Sequence, residues 1–201
     1  MSNFESAKKY IDYKFKTDTI SISGPGSYIH NAKTSLNFIN KVIKEKKINS
    51  ILDLGCGDWN WFKEVELGTN ISYLGYDCSN KLININTEKY GNKNIKFEVK
   101  DISTCEFPKV DLIICRDVLF HIDKNITLKI IDKIKQKCDY FISTSFLKQK
   151  KNNNINKYLN IENWGFYHIN LNICPFDLKS YMIDSEEETN INNRYICLYK
   201  F

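Results

Sequence analysis

Gly55 and Gly57 break an apolar run, Ser50-Ile51-Leu52-Asp53-Leu54, that otherwise reads as a short buried strand. A strand ending in Gly-x-Gly lets the backbone turn tightly and approach a ligand where any Cβ would clash. Asp53 lies inside that run, where a buried carboxylate needs partners for its charge. Acids then recur at the ends of three more apolar runs. Run 71–77 ends in Asp77, which follows Asp53 at close to the ~20-residue offset of a carboxylate that binds a ribose diol. Run 95–102 closes on Asp101, and run 110–117 exits through Arg116 and Asp117. Ligands of open α/β sheets bind outside the carboxyl ends of the strands, so these acids are expected to converge on one crevice.

The elements that must carry them follow from periodicity. Phe4, Ala7, Ile11 and Phe15 recur at 3–4 spacing and predict a leading amphipathic helix; Ala32, Leu36, Ile39 and Ile43 predict a second. A short helix is expected around 61–65 and another over 80–89. Asp123 can cap a helix carrying Ile126, Ile130, Ile131 and Ile134, after which 140–144 reads as a fifth strand. Strands alternating with helices imply an α/β fold with a parallel sheet and right-handed crossovers. Runs 181–184 and 194–201 read as two further strands joined by an acidic loop, Glu186-Glu187-Glu188, and strands joined so closely pair antiparallel.

Composition fits one soluble domain spanning 1–201. No Pro-, Gly- or Ser-rich linker divides the 201 residues. The first residues lack the basic start and apolar stretch of a signal peptide, and no apolar run suits a membrane span. Seven dispersed cysteines without a Cys-x-x-Cys pair fit reduced thiols in a cytoplasmic setting better than disulfides or zinc. The net charge of +5 comes from scattered lysines within a Lys-, Asn- and Ile-rich chain, so a nucleic-acid partner is not expected.

Three separated motifs stand in order: Ser23-Gly24-Pro25-Gly26-Ser27, Cys56-Gly57-Asp58, and Cys115-Arg116-Asp117-Val118-Leu119-Phe120-His121. With them the chain resembles the class I S-adenosylmethionine-dependent methyltransferases, closest to a bacterial-type subgroup, from Ser23 onward. The resemblance implies a single Rossmann-like domain with a mostly parallel seven-stranded sheet and an antiparallel C-terminal strand. It implies S-adenosyl-L-methionine as cofactor and S-adenosyl-L-homocysteine as product. In such a site Gly55, Cys56 and Gly57 admit the methionine part, and Asp53 orients the groups that hold its ammonium. Asp77 accepts the ribose hydroxyls while Cys78 lines the adenosine pocket. Asp101 accepts from the adenine amino group, Ile102 contacts the ring, and Arg116 lies near the reacting methyl. Trp59 and Trp61 either wall this pocket or pack helix against sheet.

The acceptor must be met by the N-terminal helices, expected as a lid over 1–47, and by a loop region over 148–178. The aromatic and polar segment 164–172 suggests that Tyr28, Trp164, Tyr167, Asn170 and Asn172 bind a small polar molecule, such as a sugar or nucleotide sugar in glycan biosynthesis. Transfer to a hydroxyl needs a base, and Asp117, His121 and His168 are the candidates by position. His30 follows the Gly-Pro-Gly turn, but without a His/Asp cluster no metal site is expected. RNA, protein or amine methylation, or cofactor binding without turnover, remain as alternatives.

Overall fold

The computed structural model describes residues 3–17, 20–152, 167–189 and 193–201. Seven strands form one sheet: β1 (Ser50–Leu54), β2 (Ser72–Asp77), β3 (Ile95–Val99), β4 (Val110–Cys115), β5 (Cys138–Ser145), β6 (Met182–Glu187) and β7 (Tyr195–Lys200). Their order is β3-β2-β1-β4-β5-β7-β6, with β7 antiparallel to both of its neighbours and every other pairing parallel. Helices α1 (Asn3–Thr17), α2 (Ile29–Lys46), α3 (Asn80–Tyr90) and α4 (Lys124–Lys137) accompany it. This is the Rossmann-like methyltransferase architecture that the sequence implied.

The central strands are apolar throughout because both faces of the sheet are covered. Ile51, Leu112, Ile114, Ile142 and Leu198 pack with Phe38, Ile39 and Val42 of α2. Their neighbours in sequence, Leu52, Ile113, Phe141 and Tyr199, pack with Ile130, Ile131 and Ile134 of α4 on the other face. The period of two along each strand thus feeds two cores at once. Capping follows the local chemistry: Asp123 accepts from the backbone N–H groups of Asn125 and Ile126 to start α4, and Ser79 accepts from Leu82 N to start α3.

Several boundaries differ from the sequence expectation. The helix expected near 61–65 is a single 3-10 turn, Phe62–Glu64. Strand β3 stops at Val99, so Asp101 stands in a turn beyond it, whose Thr104 and Cys105 amides close onto Asp101 O at 3.1 and 2.9 Å. The acidic run is no loop: Glu186 and Glu187 belong to β6, and Glu188 is buried. The order of strands reverses at the β1–β4 boundary, which opens the crevice beyond the carboxyl ends of these two strands. Gly55 to Asp58 and Arg116 to His121 both leave the sheet there.

Candidate active site

A cavity opens at that crevice, with Asp53, Asp77, Asp101 and Asp117 all in its wall. The four acids therefore converge as expected. Asp53 accepts a hydrogen bond from Tyr73 Oη at 2.7 Å. Burial raises its carboxyl from 3.8 to about 7; the Tyr73 bond pulls the other way and the nearby Asp77 charge adds to the rise. Asp77 accepts from Gly57 N at 3.0 Å through Oδ2 and from Ser79 N at 2.9 Å through Oδ1. Its burial also raises it, against the pull of those two amides. Cys56 and Cys78 line the same wall, with burial pushing both thiols up.

The glycines serve close packing as much as ligand approach. Gly55 sits at φ 82°, and a Cβ there would run into Cγ2 of Val118. Gly57, at φ 59°, would meet Ser23 Oγ. The Gly57 carbonyl in turn accepts from Asn86 Nδ2 at 2.8 Å, which ties the loop to α3. Asp58 clamps the segment ahead of α2: it accepts from Ser21 Oγ at 2.8 Å, Ile22 N at 2.7 Å and Ser23 Oγ at 3.1 Å. The three motifs seen apart in the sequence are thus one packed unit around the cavity.

From the wall inward runs a buried ion cluster that sequence reading missed. Arg116 Nη2 donates to Glu188 Oε1 at 3.0 Å, its Nε to Ser35 Oγ at 2.8 Å and its Nη1 to the Gly26 carbonyl at 3.0 Å. Arg194 bridges Glu188 and Asp117, meeting Asp117 Oδ2 at 3.0 Å. Two guanidiniums face two carboxylates, so the cluster is neutral as a unit. Burial works against the Arg116 charge, but Asp117 and Glu188 more than offset it and hold the group above its ordinary value. Asp117 itself is held at φ 59°, a left-handed conformation that non-glycine residues adopt at a cost. Its Oδ1 is buried without a hydrogen-bond partner. Glu188 and Arg194 carried no local signal, because nothing near them in sequence marks their distant partners.

The predicted residues divide clearly. Asp53, Gly55, Cys56, Gly57, Asp77, Cys78, Asp101, Ile102, Arg116, Asp117 and His121 all line the cavity. Trp61 lines it too and lies 5.0 Å from the Arg116 guanidinium, whereas Trp59 is buried among Phe62, Tyr73, Tyr90 and Phe97. Ala7, Tyr10 and Ile11 of α1 cover one side, which the sequence anticipated only as a helical lid. The expected acceptor loop behaves differently. His168 is exposed, with its ring 4.4 Å from that of Phe146, and is absent from the wall. Tyr167 is buried in the core because its ring completes the packing beside Phe120 and Ile122. Asn170 is spent on backbone distant in sequence, donating to Leu147 O and Gln149 O, and Asn172 Nδ2 reaches Met182 Sδ. Tyr28 caps the start of α2 instead of facing the cavity, while its neighbours Ser23 and Ser27 do face it. Trp164 lies outside the described residues. Among the described residues no group of three His, Cys, Asp or Glu side chains could hold a metal ion, and no helix is long and apolar enough to cross a membrane.

The fold and the acid-lined crevice define a Rossmann-like methyltransferase site. The profile of a family described as "Methyltransferase domain" matches residues 23–193. The chain belongs to that family, and its cofactor is S-adenosyl-L-methionine. Phosphoethanolamine N-methyltransferase from Plasmodium falciparum is 30% identical over 109 residues, a stretch that makes up 51% of this chain and 40% of that enzyme. The chain thus spans well under two thirds of that relative. Among solved structures, N-methyltransferase NodS from Bradyrhizobium japonicum superimposes with a TM-score of 0.69 at 10% identity, covering 100% of this chain and 98% of that one. Magnesium protoporphyrin IX methyltransferase from Synechocystis gives 0.67 at 15% identity, covering 99% and 96%. At these identities the likeness speaks for the fold. The wall itself fits the cofactor: its ammonium, sulfonium, ribose hydroxyls and adenine amino group are all cations or donors, and four carboxylates await them.

Proposed function

We propose that this protein methylates an oxygen of a small polar acceptor, with His121 as base and Asp117 orienting the acceptor. The observation that carries this reading is the presence of both residues in the wall of the acid-lined cavity. When bound, S-adenosyl-L-methionine supplies a methyl group on a cationic sulfur. The chain's own part is alignment and exclusion of water. Asp77, held in the wall by the amides of Gly57 and Ser79, accepts from the ribose hydroxyls. Asp53 meets the ammonium end, and Asp101 with Ile102 meets adenine. Asp117 offers Oδ1 to a donor hydrogen of the acceptor, since Oδ2 is already held by two arginines. His121 takes the hydroxyl proton as the new bond forms. Arg116 is held by Ser35, Gly26, Glu188 and Asp117 and acts through Asp117.

A sugar or nucleotide sugar is the acceptor class we favour, on the polar side chains Ser23, Ser27, Asp117 and His121 in an otherwise largely apolar wall; Tyr28, Tyr167, Asn170 and Asn172 are not part of it. An amine acceptor is the second reading, favoured by the partial identity to an N-methyltransferase. A panel of sugars, nucleotide sugars and small amines, incubated with cofactor and followed by product mass, separates the two. With the acceptor so found, His121→Ala is expected to lose ~10²–10⁴-fold in turnover while S-adenosyl-L-homocysteine affinity changes little. Full turnover in that variant would remove His121 as base, and a methylated amine as the sole product would favour the second reading.

A further inference from the structure

Lys133 lies on α4, outside the cavity wall, and no sequence motif singled it out. Its Nζ donates to three backbone carbonyls, Ile102 O at 2.9 Å, Ser103 O at 3.3 Å and Cys105 O at 2.8 Å. A lysine has three donors and no acceptor, so these carbonyls saturate it. The ammonium also sits 4.5 Å from the centre of the Phe107 ring, on the apolar side of the same loop. The turn it grips presents Asp101, Ile102 and Ser103 to the cavity.

The peptide joining Ile102 to Ser103 connects the lysine to the acid. Its carbonyl takes the Lys133 bond, while its N–H donates to Asp101 Oδ1 at 2.9 Å. Ser103 Oγ donates to the same Oδ1 at 2.6 Å. A cation on a carbonyl polarises the peptide and strengthens its N–H as a donor. The hydrogen bonds of Asp101 thus fall on Oδ1 and on its backbone oxygen, which leaves Oδ2 for a ligand. Rotation of the carboxylate would break both Oδ1 bonds.

We infer that Lys133 is a positioning residue for adenine recognition, fixing the turn so that Asp101 Oδ2 accepts from the exocyclic amino group. This rests on the placement of adenine at Asp101 proposed above. The lysine thereby sets selectivity for an amino purine over an oxo purine, whose carbonyl oxygen would face a carboxylate oxygen with no hydrogen between them.

The test is calorimetry on the full chain with S-adenosyl-L-homocysteine and with S-inosyl-L-homocysteine, where an oxygen replaces that amino group. The unaltered protein is expected to prefer the amino form by about tenfold. In Lys133→Met the preference should fall to about threefold or less, and Lys133→Arg, which keeps charge and donors, should restore most of it. Melting curves report whether the Met variant folds; should it not, Lys133→Gln carries the test, since a neutral donor spanning fewer carbonyls must also lose preference. A Met or Gln variant that keeps the full preference overturns the inference. Unaltered protein that binds neither compound overturns the cofactor assignment instead, and equal binding of both removes adenine from Asp101 and this inference with it.

Discussion

Asp53 is an acid whose environment strongly changes its behaviour. Its carboxyl holds a proton up to about pH 7 in the fold, against 3.8 ordinarily, chiefly through burial. The folded chain therefore binds more protons than the unfolded one between these values. Stability from this group is fully present below pH 3.8 and is lost as pH rises through 7, at up to about 1.4 kcal/mol per unit inside the window. Subtracting the urea-derived stability of Asp53→Asn from that of the unaltered protein across pH 4–8 isolates this slope; a flat difference would refute the burial argument. Ligand binding should run the other way, because the charged form suits an ammonium. Affinity for S-adenosyl-L-homocysteine is expected to rise from pH 6 to 8, and the Asn variant should lack that rise. For Asp77, replacement by Asn leaves one acceptor oxygen where two serve the amides of Gly57 and Ser79. Loss of a charge-assisted bond to ribose should weaken binding of the same ligand by roughly 1.5–3 kcal/mol. An unchanged dissociation constant would show that the ribose is held elsewhere.

Among the elements, the turn after β1 and the strap before α2 support each other. Gly55 is irreplaceable on two counts, its φ of 82° and the close approach of Val118. Gly55→Ala is expected to cost about 1–3 kcal/mol from the backbone alone, with a further overpacking penalty against Val118. Adding Val118→Ala should relieve only the second part, so a double variant as stable as the unaltered protein would mean that the positive φ carries no strain. Helix α1 contributes differently. Ala7 and Ile11 are only 5% and 7% exposed, yet they face the cavity and not the main core clusters. Among the described residues of this helix only these two are buried, and an element so held belongs to the low-stability end of a fold, where opening can admit a ligand. Hydrogen exchange of its amides should slow on binding S-adenosyl-L-homocysteine by at least about tenfold, while amides of β1 and β4 hardly change. Equal exchange with and without ligand would argue against a lid.

At the scale of the molecule, the Arg116–Glu188–Arg194–Asp117 cluster joins segments from the first, middle and last parts of the chain. It links the β4 exit, α2 through Ser35, the strap through Gly26, and the connection between β6 and β7. Removing one member leaves an uncompensated buried charge. Glu188→Ala is therefore expected to cost about 3–5 kcal/mol by urea denaturation, far more than loss of the exposed Lys41–Asp184 pair, which water screens. Similar costs for the two would mean that the cluster is solvated and not structural.

The family resemblance supplied the seven-stranded sheet and the cofactor roles, while periodicity and strand-ending acids were enough to read the strands and the acids that line the cavity. Each of those features is local: an alternation along a strand, a glycine after it, a carboxylate at its end. The residues gathered by these signals, from Asp53 to His121, do line one wall. Where the reading failed, the deciding contacts were distant in sequence. Aromatic and Asn-rich composition suggested a binding loop at 164–172, yet Tyr167 and Asn170 are consumed by packing and by backbone that the loop must satisfy. Composition cannot tell a ligand-facing amide from one that closes its own loop. Glu188 looked like one of three solvated acids until the fold set it between two arginines. Local sequence thus determined which residues could meet a ligand, because strand direction and turn chemistry are properties of neighbours. Only tertiary structure decided which side chains were left available to meet it, because a buried polar group takes its partner from whatever the fold brings near.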